Sequence, residues 1–225
     1  MIIYVLEVLL FAAWYDYACV NANNRKTSMK ETLQPVNLLA IAMIATGMCF
    51  FVNFQLPIVS MVLPDKVVME FETMMDSIGY GVKLIPTLIT LLFAPFAEEL
   101  MFRGVMFYYL QKIFENHFSK RKTFWLANII QAALFGIYHM NFIQGAYAFV
   151  VGMVLGYLKQ NFVSIIAPIL AHMLHNFLST FVWQVLVASI PDSSGAYVIG
   201  AGLSLCVVVL GMMLCVLNND KIGKE

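Results

Sequence analysis

The sequence predicts an all-α protein, a polytopic transmembrane helical bundle of about seven spans (six to eight), with one interfacial amphipathic helix near residues 65–80. Three observations carry this. Of the 225 residues, 61% are apolar and only 12% are charged, about half the charged share of a soluble globular chain. Such a chain needs lipid as its solvent, and lipid admits only helices and closed barrels. The apolar runs are long and lack period-2 alternation, which selects helices. The whole chain, 1–225, reads as a single transmembrane domain.

Residues 2–20 form a first span, interrupted by Glu7 and Asp16. With no basic n-region ahead of it, this run reads as a retained span rather than a signal peptide. A polar loop from Asn21 to Pro35 carries Arg25, Lys26 and Lys30. Residues 36–58 are a second span ending near Pro57. In the segment from Asp65 to Tyr80, Val67, Phe71, Met74, Met75 and Ile78 share one helical face, while Lys66, Glu70, Glu72 and Asp76 lie elsewhere. This is the amphipathic helix, with Asp65 as its cap.

Residues 82–103 are a span whose helical pattern runs on through Val105–Phe118, until Ser119-Lys120-Arg121-Lys122 breaks it. Residues 123–140 form a span ending in His139. The next, 143–158, carries Gly145, Gly152 and Gly156, and Gly152-x-x-x-Gly156 is a small-xxx-small pattern that predicts close helix packing. A long span, 163–189, carries Pro168, His172, His175 and Asn176, and 196–217 closes the bundle. The basic loops Arg25–Lys30, Lys112–Lys122, Lys159 and Lys221–Lys224 fall on one side of this count and the acidic segment 65–76 on the other. The positive-inside tendency makes the basic side cytoplasmic.

Zero net charge and the lack of a dense basic run exclude nucleic acid as a partner. The four cysteines, Cys19, Cys49, Cys206 and Cys215, form no CxxC or zinc-type spacing and read as small core residues.

Chemistry concentrates in Ala94-Pro95-Phe96-Ala97-Glu98-Glu99-Leu100-Met101-Phe102-Arg103-Gly104. Each charge at mid-membrane depth costs about 2.5–3.5 kcal/mol on insertion scales. Glu99 and Arg103, four residues apart in the favourable order, share a face and pair. Glu98 is turned about 100° away and is the candidate general base. Pro95 bends the helix nearby and admits water.

Two other apolar stretches bear polar sets. Phe135-Gly136-Ile137-Tyr138-His139 puts His139 one turn after Phe135. His172-Met173-Leu174-His175-Asn176 puts His172 and Asn176 on one face. Polar groups in lipid seek one another, so these helices are expected to meet. No GxSxG, Ser-Lys pair or reactive cysteine supplies a nucleophile. Glu98 would then take a proton from water held by His139, and His172 and Asn176 would donate to a tetrahedral oxyanion. Hydrolysis of a peptide bond within the membrane is the natural reaction class. Direct activation by Glu98 and His139 predicts no cofactor. Zinc or another divalent ion, on Glu98, His139 and His172, is the second reading. There is no HExxH, and these three are widely spaced.

Glu98-Glu99-x-x-x-Arg103, Phe135-x-x-x-His139 and His172-x-x-x-Asn176, in this order, resemble the three motifs of the CPBP intramembrane proteases, the family of the CAAX prenyl endopeptidases and the bacterial Abi proteins. Gly104 after Arg103 and Ala167-Pro168-Ile169-Leu170-Ala171 before His172 fit the same pattern. The resemblance covers roughly residues 85–180, the expected catalytic core. It implies an all-helical membrane endopeptidase in which Glu98 and His139 activate water, and His172 and Asn176 form the oxyanion site. Glu99 and Arg103 give structural support in this scheme, as does Phe135. Many members are labelled metalloproteases; the glutamate mechanism is the other account. The implied partners are the lipid bilayer and a membrane-associated peptide or protein substrate, and the implied location is a bacterial cell membrane, with the protein integral and multi-pass. His175 belongs to no family motif and reads as a packed histidine.

Two other functions fit the residues. One is a transporter using Glu98, His139 and His172 as a proton relay, although no transporter-type repeat is evident. The other is a non-catalytic bacteriocin-immunity protein acting by binding. Simple span boundaries also raise a geometric problem: they put Glu98 and His139 at depths about 15 Å apart. A shared site needs the helix bearing Glu98 to run long and tilted, or the span 123–140 to begin deeper.

Overall fold

The long apolar runs form helices, and a computed structural model describes residues 2–20, 32–78, 82–162 and 164–222. Among these residues there is no strand. Helix α1 is Ile2–Tyr15, prolonged by a widened turn at Asp16–Val20. Then come α2, Pro35–Ser60; α3, Asp65–Ile78; α4, Leu84–Phe114; and α5, Lys120–Tyr138. The series ends with α6, Phe142–Phe162; α7, Ile166–Ser189; and α8, Ser194–Ile222.

Five of these, α2, α4, α6, α7 and most of α8, are long and apolar enough to cross a bilayer. The protein is a multi-pass integral membrane protein. Helices α1 and α5, expected as spans, are not among the five. Helix α5 opens on Lys120, Arg121 and Lys122, and buries Asn128 and Gln131 midway.

Several boundaries differ from the sequence reading for local reasons. The expected break falls a little earlier, between Phe114 and Ser119, and Lys120–Lys122 form the first turn of α5, whose N-cap, Ser119, is extended. Helix α2 runs through Pro57 to Ser60, because the turn after the proline closes by Met61 N–H donating to the Pro57 carbonyl. Asp65 does not cap α3 from outside. It is the first helical residue, and the Pro64 carbonyl accepts from Val67 N–H at 2.9 Å. The face of α3 is otherwise as expected, with Val67, Phe71, Met74 and Met75 half-buried and Lys66, Glu70, Glu72 and Asp76 exposed. Tyr80 and the basic residues Arg25, Lys26, Lys30 and Lys224 lie outside the described residues.

The helices gather in two compact units. The first holds α1, α4 from Leu92 onward, α5 and α6, ending at Ile169. Here α5 and α6 cross backbone to backbone at Gly136 and Gly145, where a Cβ on either would meet the other's carbonyl at 2.6–2.8 Å. The second unit holds α2, α3, the start of α4, α7 from Leu170 onward and α8. Its centre is the α2–α8 pair, closed at one end by Asn218 donating to Asn37 at 2.9 Å. Phe50 and Phe54 pack edge-on against Trp183 of α7. Cys49 and Cys215 are buried, as expected, whereas Cys206 is exposed; it faces outward from α8 beside exposed Leu203 and Leu205. The side chain of Cys19 lies outside the described residues.

Candidate active site

Helix α4 is not uniform around Glu98. Widened turns at Ile89–Phe93 and Leu100–Met106 flank an α-helical segment, Ala94–Glu99. Such wide turns inside α-helices are rare and concentrate at functional sites. The α-helical segment keeps Glu98 and Glu99 about 100° apart, and their surroundings differ accordingly. Glu99 is fully buried, whereas Glu98 is half-buried.

Arg103 Nη1 donates to Glu99 Oε1 at 2.9 Å, with both side chains wholly buried. This is the pairing that the four-residue spacing predicts. The Arg103 charge also acts on Glu98, so it serves both carboxylates. The guanidinium carbon lies 4.1 Å from the centre of the Phe135 ring, a desolvated cation–π contact worth about 2 kcal/mol. Phe102 packs edge-on against Phe135 at 5.1 Å and against Tyr138 at 5.5 Å. Arg103 thus brings the Glu-Glu helix and the histidine-bearing helix to one level. Helix α4 runs long, 31 residues.

His139 stands at the C-cap of α5. Its Nδ1 lies 2.8 Å from the Phe135 carbonyl, so Nδ1 carries the hydrogen and Nε2 presents its lone pair in the neutral ring. Phe135 therefore acts twice, its ring beneath Arg103 and its carbonyl on His139. The next residue, Met140, has φ 51°, a left-handed conformation uncommon for a residue with a Cβ. That turn ends the helix directly after His139.

Sequence reasoning missed the support behind Arg103. Gln131, one turn before Phe135, is fully buried. Its Nε2 donates to Gly152 O at 3.0 Å and to Asn128 Oδ1 at 2.8 Å, and Asn128 Nδ2 donates to Met153 O at 3.0 Å. The glycines of α6 make room for these side chains: a Cβ on Gly152 would lie 3.0 Å from Arg103 Nη2, and one on Gly156 would overlap Asn128 Oδ1. The small-xxx-small pattern here seats polar side chains against the α6 backbone. The signal was present as Gln131-x-x-x-Phe135-x-x-x-His139. Gly104 has a comparable reason, since a Cβ there would come 2.9 Å from the Tyr15 ring. Tyr15 is held in turn by Lys159 Nζ on its hydroxyl at 3.0 Å.

The second unit carries the third motif. His172 and His175 are both buried, their ring centres 6.5 Å apart; His175 is a packed histidine, as read from the sequence. Asn176 Nδ2 donates to the Thr90 carbonyl at 2.9 Å, and the Asn176 carbonyl accepts from the Thr180 hydroxyl at 2.7 Å. Another widened turn, Leu178–Val182, follows. The site residues are thus grouped as Glu98, Glu99, Arg103, Phe135 and His139 in one unit, and His172 and Asn176 in the other. The set Glu98, His139 and His172 is of a type that zinc accepts. Within neither unit, among the described residues, do three His, Cys, Asp or Glu side chains gather as a ligand set.

Residues 81–178 match the family model described as type II CAAX prenyl endopeptidase Rce1-like. This segment is similar to that family. It contains all three motifs and ends two residues after Asn176. No curated protein and no solved structure matches the chain. The matched family is one of membrane proteases. Arg103, Phe135, Gln131 and Gly152 all fall inside it, whereas Tyr15, which seats Gly104, comes from outside.

Proposed function

We propose that the protein is an intramembrane endopeptidase that hydrolyses a peptide bond of a membrane-associated protein or peptide. Water is the nucleophile. Glu98 accepts its proton as the water oxygen bonds to the scissile carbonyl carbon, and His139, through Nε2, holds the water in place. The carbonyl oxygen becomes an oxyanion, which His172 and one N–H of Asn176 stabilise. Collapse of the intermediate breaks the C–N bond, and the proton on Glu98 passes to the leaving amine. Glu99, Arg103 and Phe135 hold Glu98 and His139 in register. Were a divalent ion bound, Glu98, His139 and His172 would hold it, and it would supply Lewis-acid activation of water.

The observation that carries this reading is the chain of contacts from the buried Glu99–Arg103 pair through the Phe135 ring to the fixed tautomer of His139. It ties the helix that carries Glu98 to the one that carries His139, which supports a shared role in water activation. The test uses the full chain in lipid nanodiscs with a randomised, quenched-fluorescence peptide anchored by an alkyl chain. Glu98→Gln is expected to abolish cleavage while thermal unfolding stays as in wild type; retained cleavage would defeat the proposal. Cleavage that persists after exhaustive chelation removes metal from the mechanism.

A further inference from the structure

The inference concerns Asn176 and rests on the protease reading above. In an i→i+5 ladder such as that of Ile89–Phe93, the donor for the Thr90 carbonyl is residue 95. Residue 95 is Pro95, which has no N–H. A bare carbonyl in lipid is strongly disfavoured. Thr90 does not cover it with its own hydroxyl, which donates to Pro86 O at 3.0 Å. The donor comes from α7, as Asn176 Nδ2 at 2.9 Å. The wide turn, the proline and the asparagine thus form one device, placed just before the segment that carries Glu98.

We propose that Asn176 is a positioning residue: it supplies the donor that Pro95 denies to Thr90 and so holds the wide turn that sets the rotation at which Glu98 emerges from α4. Relaxing that turn to α geometry shifts the downstream register by one residue, roughly 100°. Glu99 would then move towards the direction that Glu98 faces. The bond to Thr90 and the proposed duty toward an oxyanion are separable by experiment.

The experiment returns the missing N–H. Asn176→Ala, Pro95→Ala and the double variant are compared with wild type in nanodiscs, for kcat and KM on the alkyl-anchored peptide and for Tm. Asn176→Ala is expected to lower kcat about 100-fold, as misplacement of a reacting group does, with KM little changed and Tm lowered. Adding Pro95→Ala is expected to regain at least about tenfold in kcat and most of the Tm. A double variant with kcat no higher than that of Asn176→Ala overturns the positioning role, because the amide would then act on the reacting atoms alone. Should Pro95→Ala by itself be inactive, the Tm values decide: rescue upholds the proposal and simple additivity overturns it. This coupling needs no turnover, so it is read separately from Glu98→Gln, whose retained cleavage would defeat only the protease reading.

Discussion

Around Glu98 and His139 the bracing is ionic and aromatic. At Asn176 the bonds run to the Thr90 carbonyl and from the Thr180 hydroxyl. In the first unit a fully buried ion pair rests on Phe135, and the surrounding amides, Gln131 and Asn128, bind the α6 backbone. In the second, Asn176 bonds Thr90 O, and Ser179 donates to Cys49 Sγ at 3.3 Å while receiving Asn53 Nδ2 at 3.3 Å. The difference follows from what each side must hold. A carboxylate intended as a base needs a nearby cation to make its depth tolerable, and that cation must itself be fixed. The donors proposed for an oxyanion need orientation.

Substitutions that leave charge unbalanced should separate the two sides most sharply. Arg103→Gln strands Glu99 in a fully buried site and is expected to cost about 3–5 kcal/mol, read as a large fall in Tm and in monodisperse yield. Replacing both partners, as in Glu99→Leu with Arg103→Met, should be much milder. A single variant as stable as wild type would dissolve the contrast drawn here. Next in size is Gln131→Leu, which removes two buried bonds; about 1–3 kcal/mol is expected, read as a fall in Tm. The smallest effect belongs to the side that carries Asn176. Ser179→Ala should cost about 1 kcal/mol with cleavage intact, and a loss there as large as that for Gln131→Leu would show that both units are braced alike.

Much of this arrangement was legible in the chain. The four-residue spacing of Glu99 and Arg103 foretold their bond, and the three ordered motifs led to the family that residues 81–178 match. The amphipathic face of α3 followed from its periodicity. Other features depend on partners distant in sequence. The Thr90 carbonyl in the wide turn at Ile89–Phe93 accepts from Asn176, 86 residues away, and no local pattern announces it. Gly152 and Gly156 matched a helix-packing pattern, and only the tertiary structure reveals that Arg103 and Asn128 fill the space they leave. Lys120–Lys122 looked like punctuation because basic runs often end spans, yet Ser119 and the first turn of α5 make them helical.

The length of α4 has one more consequence. Its 31 residues extend about 46 Å, and Glu98 sits about 21 Å from one end and about 24 Å from the other. A hydrocarbon layer about 30 Å thick cannot contain the whole helix upright, but it covers this middle portion wherever the excess emerges. The nucleophile of the proposed reaction is therefore the scarcest molecule at that depth. Hydration of the helix interior, more than affinity for peptide, would govern the pace of turnover, and host lipids with longer acyl chains would slow it.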